Sequence, residues 1–443
     1  MHRMDASGYF TGKKITVMGL GLLGRGVGDV RFLAEAGADL IVTDLKTKEQ
    51  LAPSLEALKE FPNITFVFGE HRLEDFRERD LILKAPKTPL DSVYIAEAEQ
   101  HGVPVTMSTA LFARLAREQG VALIGITGTR GKTTTTEMIA HILRASGAKV
   151  LLGGNIRGVS TLSLLPEVAP GTVAVLELDS WQLQGFRAEE LSPHVAVFTT
   201  FFPDHQDYYP DMDTYLADKA EIFLHQGPDD TLVLGETLMH LLEGVYGGAI
   251  ASRVVLAKLE MVPDDALSIP GAHNRANAAC ALEAAKAYGV SAEDALSALR
   301  SFTGVSGRLE FVREKDGVRF YNDTTATTPE ATLAALEALD TGKKNIVLIM
   351  GGSDKGLDMN RLLVEVQKRA KRIVMLTGTG TSRVLQFLEG ASVYDSLPSA
   401  FTEAVKSAAP GDIVLLSPAF ASFGMFANEY ERGDAFNALV NEA

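Results

Sequence analysis

The stretch Gly128-Thr129-Arg130-Gly131-Lys132-Thr133-Thr134 sets two glycines, a lysine and three threonines between the apolar run VALI at 121–124 and the helical-looking IAHILRASG. The chemistry open to such a set is phosphate binding. Glycines let backbone amides converge on an anion, and a helix starting there adds the positive end of its dipole. The spacing is G-x-x-G-K-T, shorter than the G-x-x-x-x-G-K-[ST] loop, because Ile126 stands where that loop needs its first glycine. The physics is unchanged. Lys132 would reach the terminal phosphate oxygens and the Thr133 hydroxyl would ligate Mg²⁺.

Two further apolar runs end in groups that could serve the same phosphate. TVAVLEL carries Glu177 inside an otherwise apolar run, where an unpaired carboxylate is costly and calls for a metal or a Lys/Arg partner. HVAVFTT leads into FFPDHQDYYPD, with Asp204, His205 and Asp207. A carboxylate and an imidazole at adjacent strand ends could hold Mg²⁺ together with Thr133, although His205 also reads as an ordinary loop histidine. In DTYLADKAEIFLHQ, read as one helix, Lys219 has Tyr215, Leu216, Ile222 and Phe223 as its i±3 and i±4 neighbours, so it projects from the apolar face. It either snorkels to water or is desolvated into a neutral amine that can take up CO₂ as a carbamate.

A second glycine cluster, Gly19-Leu20-Gly21-Leu22-Leu23-Gly24, matches G-x-G-x-x-G after a strand, with Asp44 twenty residues beyond Gly24. The pattern fits a dinucleotide such as NAD, another nucleotide such as a uridine diphosphate, or close helix–strand packing alone.

The elements that must position these groups alternate. Short β-branched runs succeed Ala/Leu/Glu-rich helical stretches, the rhythm of a parallel α/β protein. The 443 residues exceed what one core accommodates, so the expectation is three domains: 1–106, 107–305 and 306–443. KITVMGLG, LIVTD and LILKAP supply strands of the first. VALIGITG, KVLLGG, TVAVLELD and HVAVFTT supply the second, which continues through the helix AHNRANAACALEAAKAYG. The third opens on a hairpin with an Asp316-Gly317 turn and continues through IVLIMGG, RIVMLTG and DIVLLSP.

Bulk properties limit the partners. A formal net charge of −15 argues against nucleic acid and anionic membrane surfaces. Cys280 is the single cysteine, which excludes an internal disulfide and a four-thiolate zinc site. MHRMDASGYFTGKK has no apolar signal core and no later stretch is long enough to span a bilayer, so a cytoplasmic enzyme or nucleotide-driven switch is expected.

Taken in order, GITGTRGKTTT, VLELDSWQL, PDHQDYYPDMDTYLADKAEI, GAHNRANAACAL, GRLEF, YNDTTATTPEATLAAL, MGGSDKGLD and LSPAFASFGMFANEYERGDAF resemble the motifs of the Mur ligases, ATP-dependent amide-forming enzymes of peptidoglycan precursor synthesis. The resemblance spans essentially the whole chain and is greatest to members that add D-glutamate to UDP-N-acetylmuramoyl-L-alanine. It implies a Rossmann-like N-terminal domain for the UDP substrate, a central P-loop ATPase-type domain, and a Rossmann-like C-terminal domain for the amino acid. It implies ATP, two Mg²⁺ ions and a carbamylated Lys219, in a monomer. Lys132, His205 and Lys219 would be catalytic. Gly128, Thr129, Arg130, Gly131, Lys132, Thr133, Thr134, Asn274, Asn277, Arg308 and Asp323 would contact ATP. Thr133, Glu177, His205 and the Lys219 carbamate would hold metal. Leu22, Leu23, Asp44, Lys46 and Asn155 would bind the UDP substrate, and Thr327, Lys355, Ser422 and Phe423 the glutamate. By this resemblance GLGLLG is a UDP-binding turn.

Three stretches depart from the family pattern. NDTTATT places Thr325 where N-D-S-K-A-T has a lysine, Ala85-Pro86-Lys87 stands for S-P-G, and Gly424-Met425 replaces an acid and a glutamine. These bear on the amino-acid pocket, so L-glutamate, used by a sister group, is the alternative to D-glutamate. From a different class, the phosphate loop alone is compatible with an ATPase switch that has no ligase activity.

Overall fold

The computed structural model describes residues 6–22, 24–206 and 208–443. It divides into two compact units, one formed by Met1–Val262 with Ala276–Leu299 and the other by Pro263–Arg275 with Arg300–Ala443.

The first unit contains two sheets. Strands β1 (Lys14–Met18), β2 (Asp39–Asp44), β3 (Ile64–Phe68), β4 (Leu81–Lys84) and β5 (Val105–Thr106) lie in the order β3-β2-β1-β4-β5, all parallel. Strands β6 (Ala122–Thr127), β7 (Lys149–Gly154), β8 (Thr172–Glu177), β9 (Val195–Phe198), β10 (Thr231–Gly235) and β11 (Arg253–Ala257) lie in the order β11-β10-β9-β6-β8-β7, again all parallel. Parallel strands covered on both faces read as unbroken apolar runs, and β8 and β9 are buried at every position. One apolar core runs beneath both sheets, from Ile15 and Val17 through Phe112 and Leu115 to Leu123 and Leu176. Its bridge is the helix Ser108–Glu118, whose Ala110, Leu111, Phe112, Ala113, Leu115 and Ala116 are all buried.

The second unit is built on β12 (Glu310–Lys315), β13 (Val318–Asn322), β14 (Ile346–Gly351), β15 (Ala370–Leu376), β16 (Ser392–Tyr394) and β17 (Ile413–Leu416), ordered β12-β13-β17-β14-β15-β16. Alternation along β14 fills two cores, with Leu348 and Met350 on one face and Val347 and Ile349 on the other. β12 and β13 form the one antiparallel pair among the described strands. Asp316 and Gly317 between them have φ of 51° and 75°, the left-handed pair expected for a two-residue hairpin turn.

The α/β expectation agrees with these three sheets. The strands that sequence reading passed over are chiefly sheet margins. β3 and β5 edge the first sheet, β10 and β11 extend one side of the second, and β16 edges the third. β3 buries only Val67 and β5 has two residues, so neither forms a fully buried strand of the kind that unbroken apolar runs mark. The helix expected through DTYLADKAEIFLHQ is shorter, Met212–Ala220. Tighter bonds from Ile222 N to Lys219 O (3.2 Å) and Phe223 N to Ala220 O (2.9 Å) end it, so Ile222 and Phe223 enter the core from a turn. No helix among the described residues is long and apolar enough to cross a membrane.

Candidate active site

β6 lies between β8 and β9, with Ile126 opposite Glu177 and Thr127 opposite Phe198. The phosphate-binding loop, Glu177 and the segment after Phe198 therefore leave the sheet side by side at its carboxyl edge, where open α/β sheets place ligands. Gly128 has φ +140°, and a Cβ there would lie 2.1 Å from Thr199 Oγ1 and 2.9 Å from Thr200 N, so only glycine fits. Gly131, at φ +86°, would bring a Cβ to 2.3 Å from Asn277 Oδ1, which places Asn277 directly against the loop. Thr199 and Thr200 clasp the turn. Thr129 N donates to Thr200 O (2.7 Å), Arg130 N to Thr200 Oγ1 (2.9 Å), and Thr199 Oγ1 to Arg130 O (2.6 Å). The helix Lys132–Ala145 starts there, with Thr133 in its first turn and Thr134 buried behind it. Lys132 Nζ donates to Gly128 O (3.0 Å) and Thr129 O (3.3 Å), folding the ammonium back over the loop.

Lys219 does not snorkel. Its side chain is 1 % exposed, and Nζ donates to Gly128 O at 3.1 Å, the carbonyl that Lys132 also uses. Burial holds its pKa well below the ordinary lysine value, and the Lys132 charge pushes the same way. A neutral amine is the form that adds CO₂. The neighbouring acid, Asp218, is committed elsewhere, accepting from Gln184 Nε2 (2.7 Å), Tyr209 OH (3.0 Å) and Arg187 Nη2 (2.9 Å).

Glu177 is 2 % exposed. Its Oε1 accepts from Asn155 Nδ2 at 3.3 Å, while Oε2 is buried with no hydrogen-bond partner among the described residues. Among the described residues, the Lys/Arg partner expected as one solution for this carboxylate is not in contact with it. Asn155 is the hinge of a chain that sequence reading missed: its Oδ1 accepts from Arg25 Nη1 (2.7 Å), on the helix that follows GLGLLG. Nearby, Ser160 Oγ donates to Asp29 Oδ1 at 2.6 Å, and burial raises the Asp29 pKa to about 6. No motif marks Arg25 or Asp29, because each is one polar residue on an amphipathic helix.

His205 sits in the left-handed region at φ 54°, with its ring centroid 4.4 Å from that of Trp181. Burial lowers its pKa; Asp204 opposes this, and Lys132, Lys219 and Lys87 reinforce it. Asp204 Oδ2 accepts from Arg130 Nη1 (2.8 Å). Burial pushes Asp204 up, but Arg130 and His205 outweigh burial and leave it below the usual carboxylate value. Asp207 lies outside the described residues.

Among the described residues no three His, Cys, Asp or Glu side chains are grouped so as to hold a metal ion. Magnesium does not require such a cage, since one or two carboxylates suffice when phosphate oxygens and water complete the octahedron. The uncommitted Glu177 Oε2 at the strand end beside the phosphate loop is a ligand of that kind, so the residues fit a magnesium site.

At the first glycine cluster, Asp44 is buried and turned inward. Its Oδ2 accepts from Leu20 N (2.9 Å) and Gly21 N (3.1 Å), and its Oδ1 from Lys46 N (2.9 Å). The carboxylate thereby organises the turn from within. Lys46 Nζ is 3.9 Å from Asp44 Oδ1, and Leu22 is 55 % exposed on the turn. Leu23 lies outside the described residues.

Asn274, Arg308 and Asp323 belong to the second unit. Asn274 Nδ2 donates to Pro270 O (2.7 Å). Asp323 accepts from Leu309 N (3.0 Å) and Ser417 Oγ (2.8 Å), and burial raises its pKa to about 7 against the pull of Arg308. Two residues expected at the glutamate meet directly, Lys355 Nζ donating to Thr327 Oγ1 at 2.9 Å. Ser353 and Ala421 exchange backbone bonds (2.9 and 3.1 Å), which brings buried Ser422 and exposed Phe423 beside the 353–355 segment. Thr325, in the place of a lysine, donates its hydroxyl to Gly307 O at 2.9 Å.

Comparison with known proteins matches each sheet. Residues 13–107 match the Mur ligase MurD-like N-terminal domain, 126–240 the Mur ligase middle domain, and 307–420 the Mur ligase glutamate ligase domain. The UDP-N-acetylmuramoylalanine–D-glutamate ligase of Roseiflexus sp. (strain RS-1) is 40% identical, covering 97% of this chain and 98% of its own. The ligase of the same name from Pelotomaculum thermopropionicum is 35% identical over 97% and 98%. Among solved structures, the UDP-N-acetylmuramate–alanine ligase of Thermotoga maritima shares the fold, with TM-score 0.62, 20% identity and coverage of 97% and 99%. The MurF ligase of Thermotoga maritima in complex with ADP gives TM-score 0.58 and 19% identity over 84% and 97%. A phosphate loop clasped by a neighbouring strand end, a buried amine on its carbonyl and end-to-end similarity of this depth place the chain in the Mur ligase family of ATP-dependent amide-forming ligases.

Proposed function

We propose that the protein joins D-glutamate to UDP-N-acetylmuramoyl-L-alanine at the expense of ATP, as a cytoplasmic monomer in peptidoglycan precursor synthesis. The observation that carries this reading is the convergence of Lys132 and Lys219 on Gly128 O, one strand from the uncommitted Glu177. The chemical difficulty of such a ligation is bringing a carboxylate against a triphosphate, since like charges repel. A site whose task is neutralisation and in-line placement needs this concentration of cations and amides.

In this reading residues 1–106 hold the UDP substrate through Leu22, Leu23, Asp44, Lys46 and Asn155. Residues 107–305 hold ATP through 128–134 and Asn277, with Asn274, Arg308 and Asp323 contributing. Residues 306–443 hold glutamate through Thr327, Lys355, Ser422 and Phe423. Lys132 neutralises the terminal phosphoryl group as it passes to the donor carboxylate, giving an acyl phosphate. The glutamate amine then adds to the acyl carbon, and the tetrahedral adduct expels phosphate. Thr133, Glu177, His205 and a carbamate on Lys219 are the residues that would hold two magnesium ions, whose charge would screen the two anions. The carbamate forms when the Lys219 amine attacks CO₂ and releases a proton.

The direct test is phosphate release with UDP-N-acetylmuramoyl-L-alanine and either enantiomer of glutamate. Release that requires the donor and D-glutamate is expected. Equal release with L-glutamate would reassign the amino acid, in keeping with Thr325 in place of lysine. ATP hydrolysis indifferent to both substrates would replace the ligase by a switch. Lys219→Ala should lose activity and regain part of it with short-chain carboxylates; full activity without them would remove the carbamate.

A further inference from the structure

The first sheet contributes a cation to this site that none of the assigned groups includes. The loop after β4 continues the carboxyl edge of the first sheet, and it touches the GLGLLG turn, since a Cβ on Gly19 would lie 2.8 Å from Ala85 Cβ. Two residues further on, exposed Lys87 extends its ammonium over the ring of Trp181, 4.7 Å from the centroid. Trp181 is 6 % exposed and lies in the first turn of the helix Ser180–Ala188, four residues beyond the end of β8 at Glu177. The Trp181 ring also packs against the rings of His205 (4.4 Å between centroids), Tyr208 (5.5 Å) and Tyr209 (6.4 Å). Among the described residues Lys87 has no acidic partner, in a chain with 57 acids against 42 Lys and Arg. A tryptophan face fixes a lysine without neutralising it, which keeps the charge available and lowers the entropy lost when an anion arrives.

We propose that Lys87 is a donor-binding residue, taking an oxyanion of the UDP-muramoyl substrate between the uridine-side turn and the phosphate loop. This rests on the ligase reading above and deepens it. In a family stretch that ends in glycine, the ammonium supplies a contact that a glycine side chain cannot make. The oxyanion is either the donor's terminal carboxylate or its diphosphate, since both are within the chemistry of one ammonium.

Trp181 is the only tryptophan in the chain, so its fluorescence reports on the Lys87 ammonium directly. Lys87→Gln should raise the KM for the donor about tenfold, leave the KM values for ATP and glutamate within about twofold, and lose most of the donor-induced change in Trp181 emission. Lys87→Arg should recover most of both. Competition by UDP-N-acetylglucosamine, which has the diphosphate but no lactoyl-alanine arm and so no terminal carboxylate, separates the two sources: inhibition weakened tenfold by Lys87→Gln identifies the diphosphate, and unchanged inhibition the carboxylate. Lys13→Ala, which removes a similar cation from the Tyr9 ring at 3.6 Å, should change none of these. A donor KM within twofold of wild type in Lys87→Gln overturns the proposal. Failure of the wild type to turn over would instead overturn the ligase reading, and the emission titration would still decide whether Lys87 meets the donor.

Discussion

The two glycine turns of this protein are nearly the same backbone device. Gly24 caps the helix Arg25–Glu35 at φ 84°, ψ −23°, and Gly131 caps Lys132–Ala145 at φ 86°, ψ −14°. Both follow a parallel strand and direct amides at whatever lies before the helix. Their contents differ. In the first, the protein's own Asp44 occupies the amides of Leu20 and Gly21, so the turn is already satisfied and its exposed side chains remain for a ligand. In the second, no carboxylate among the described residues accepts from the loop amides; the Lys132 ammonium and the Lys219 amine both donate to the Gly128 carbonyl. Glycine geometry makes a strand–helix junction, and side-chain charge then decides whether the junction is a scaffold or an anion site.

Substitutions can break this contrast. The largest effect should follow Lys132→Ala, with kcat reduced about 1000-fold or more and the Tm little changed, because the loop geometry rests on Thr199 and Thr200. Asp44→Ala should act on the other turn alone, raising the donor KM about tenfold by releasing the amides of Leu20, Gly21 and Lys46 while the ATP KM stays constant. Steady-state kinetics with each substrate varied would separate the two turns, and a shared effect on both KM values would merge them.

Lys219 sharpens the comparison through pH. Its native pKa lies below the ordinary 10.5, so the folded state holds the proton less tightly than the unfolded chain. Its contribution to stability is complete above about pH 10.5 and is lost as pH falls toward the depressed native value. In carbonate-free buffer Lys219→Met should therefore melt higher than wild type at pH 7.5, with the gap closing as pH approaches 10.5. A gap constant with pH would show that the amine remains charged. The smallest effect belongs to Gly24→Ala. A Cβ there meets only Gly158 Cα at 3.9 Å, so the cost is left-handed strain of about 1–2 kcal/mol, read as a modest fall in Tm. Gly131→Ala, which displaces Asn277, should in addition weaken ATP binding.

Much of the site is legible in the sequence itself. The loop at 128–134 is a local signal, because glycine spacing, lysine and a following helix are consecutive in the chain. Glu177 was legible as a carboxylate in an apolar run, and its orphaned oxygen agrees with the unease of that placement. Lys219 was legible only as a pair of alternatives. Helical periodicity named its apolar neighbours, and two of them proved to lie beyond the helix, yet the amine is buried all the same. What was illegible is what depends on distant segments: the clasp by Thr199 and Thr200, the Arg25–Asn155–Glu177 chain, and Lys87 over Trp181.

The amino-acid sequence determined the elements and the kinds of chemistry, since turn glycines, apolar runs and the residues that end them act over a few positions. Only the tertiary structure decided which charges are desolvated and which are answered. Desolvation and pairing depend on side chains tens of residues apart: Gly128 stands beside Lys219, and Asn155 spans Arg25 and Glu177. The energy of a buried amine or carboxylate is set by those neighbours and not by its place in the chain.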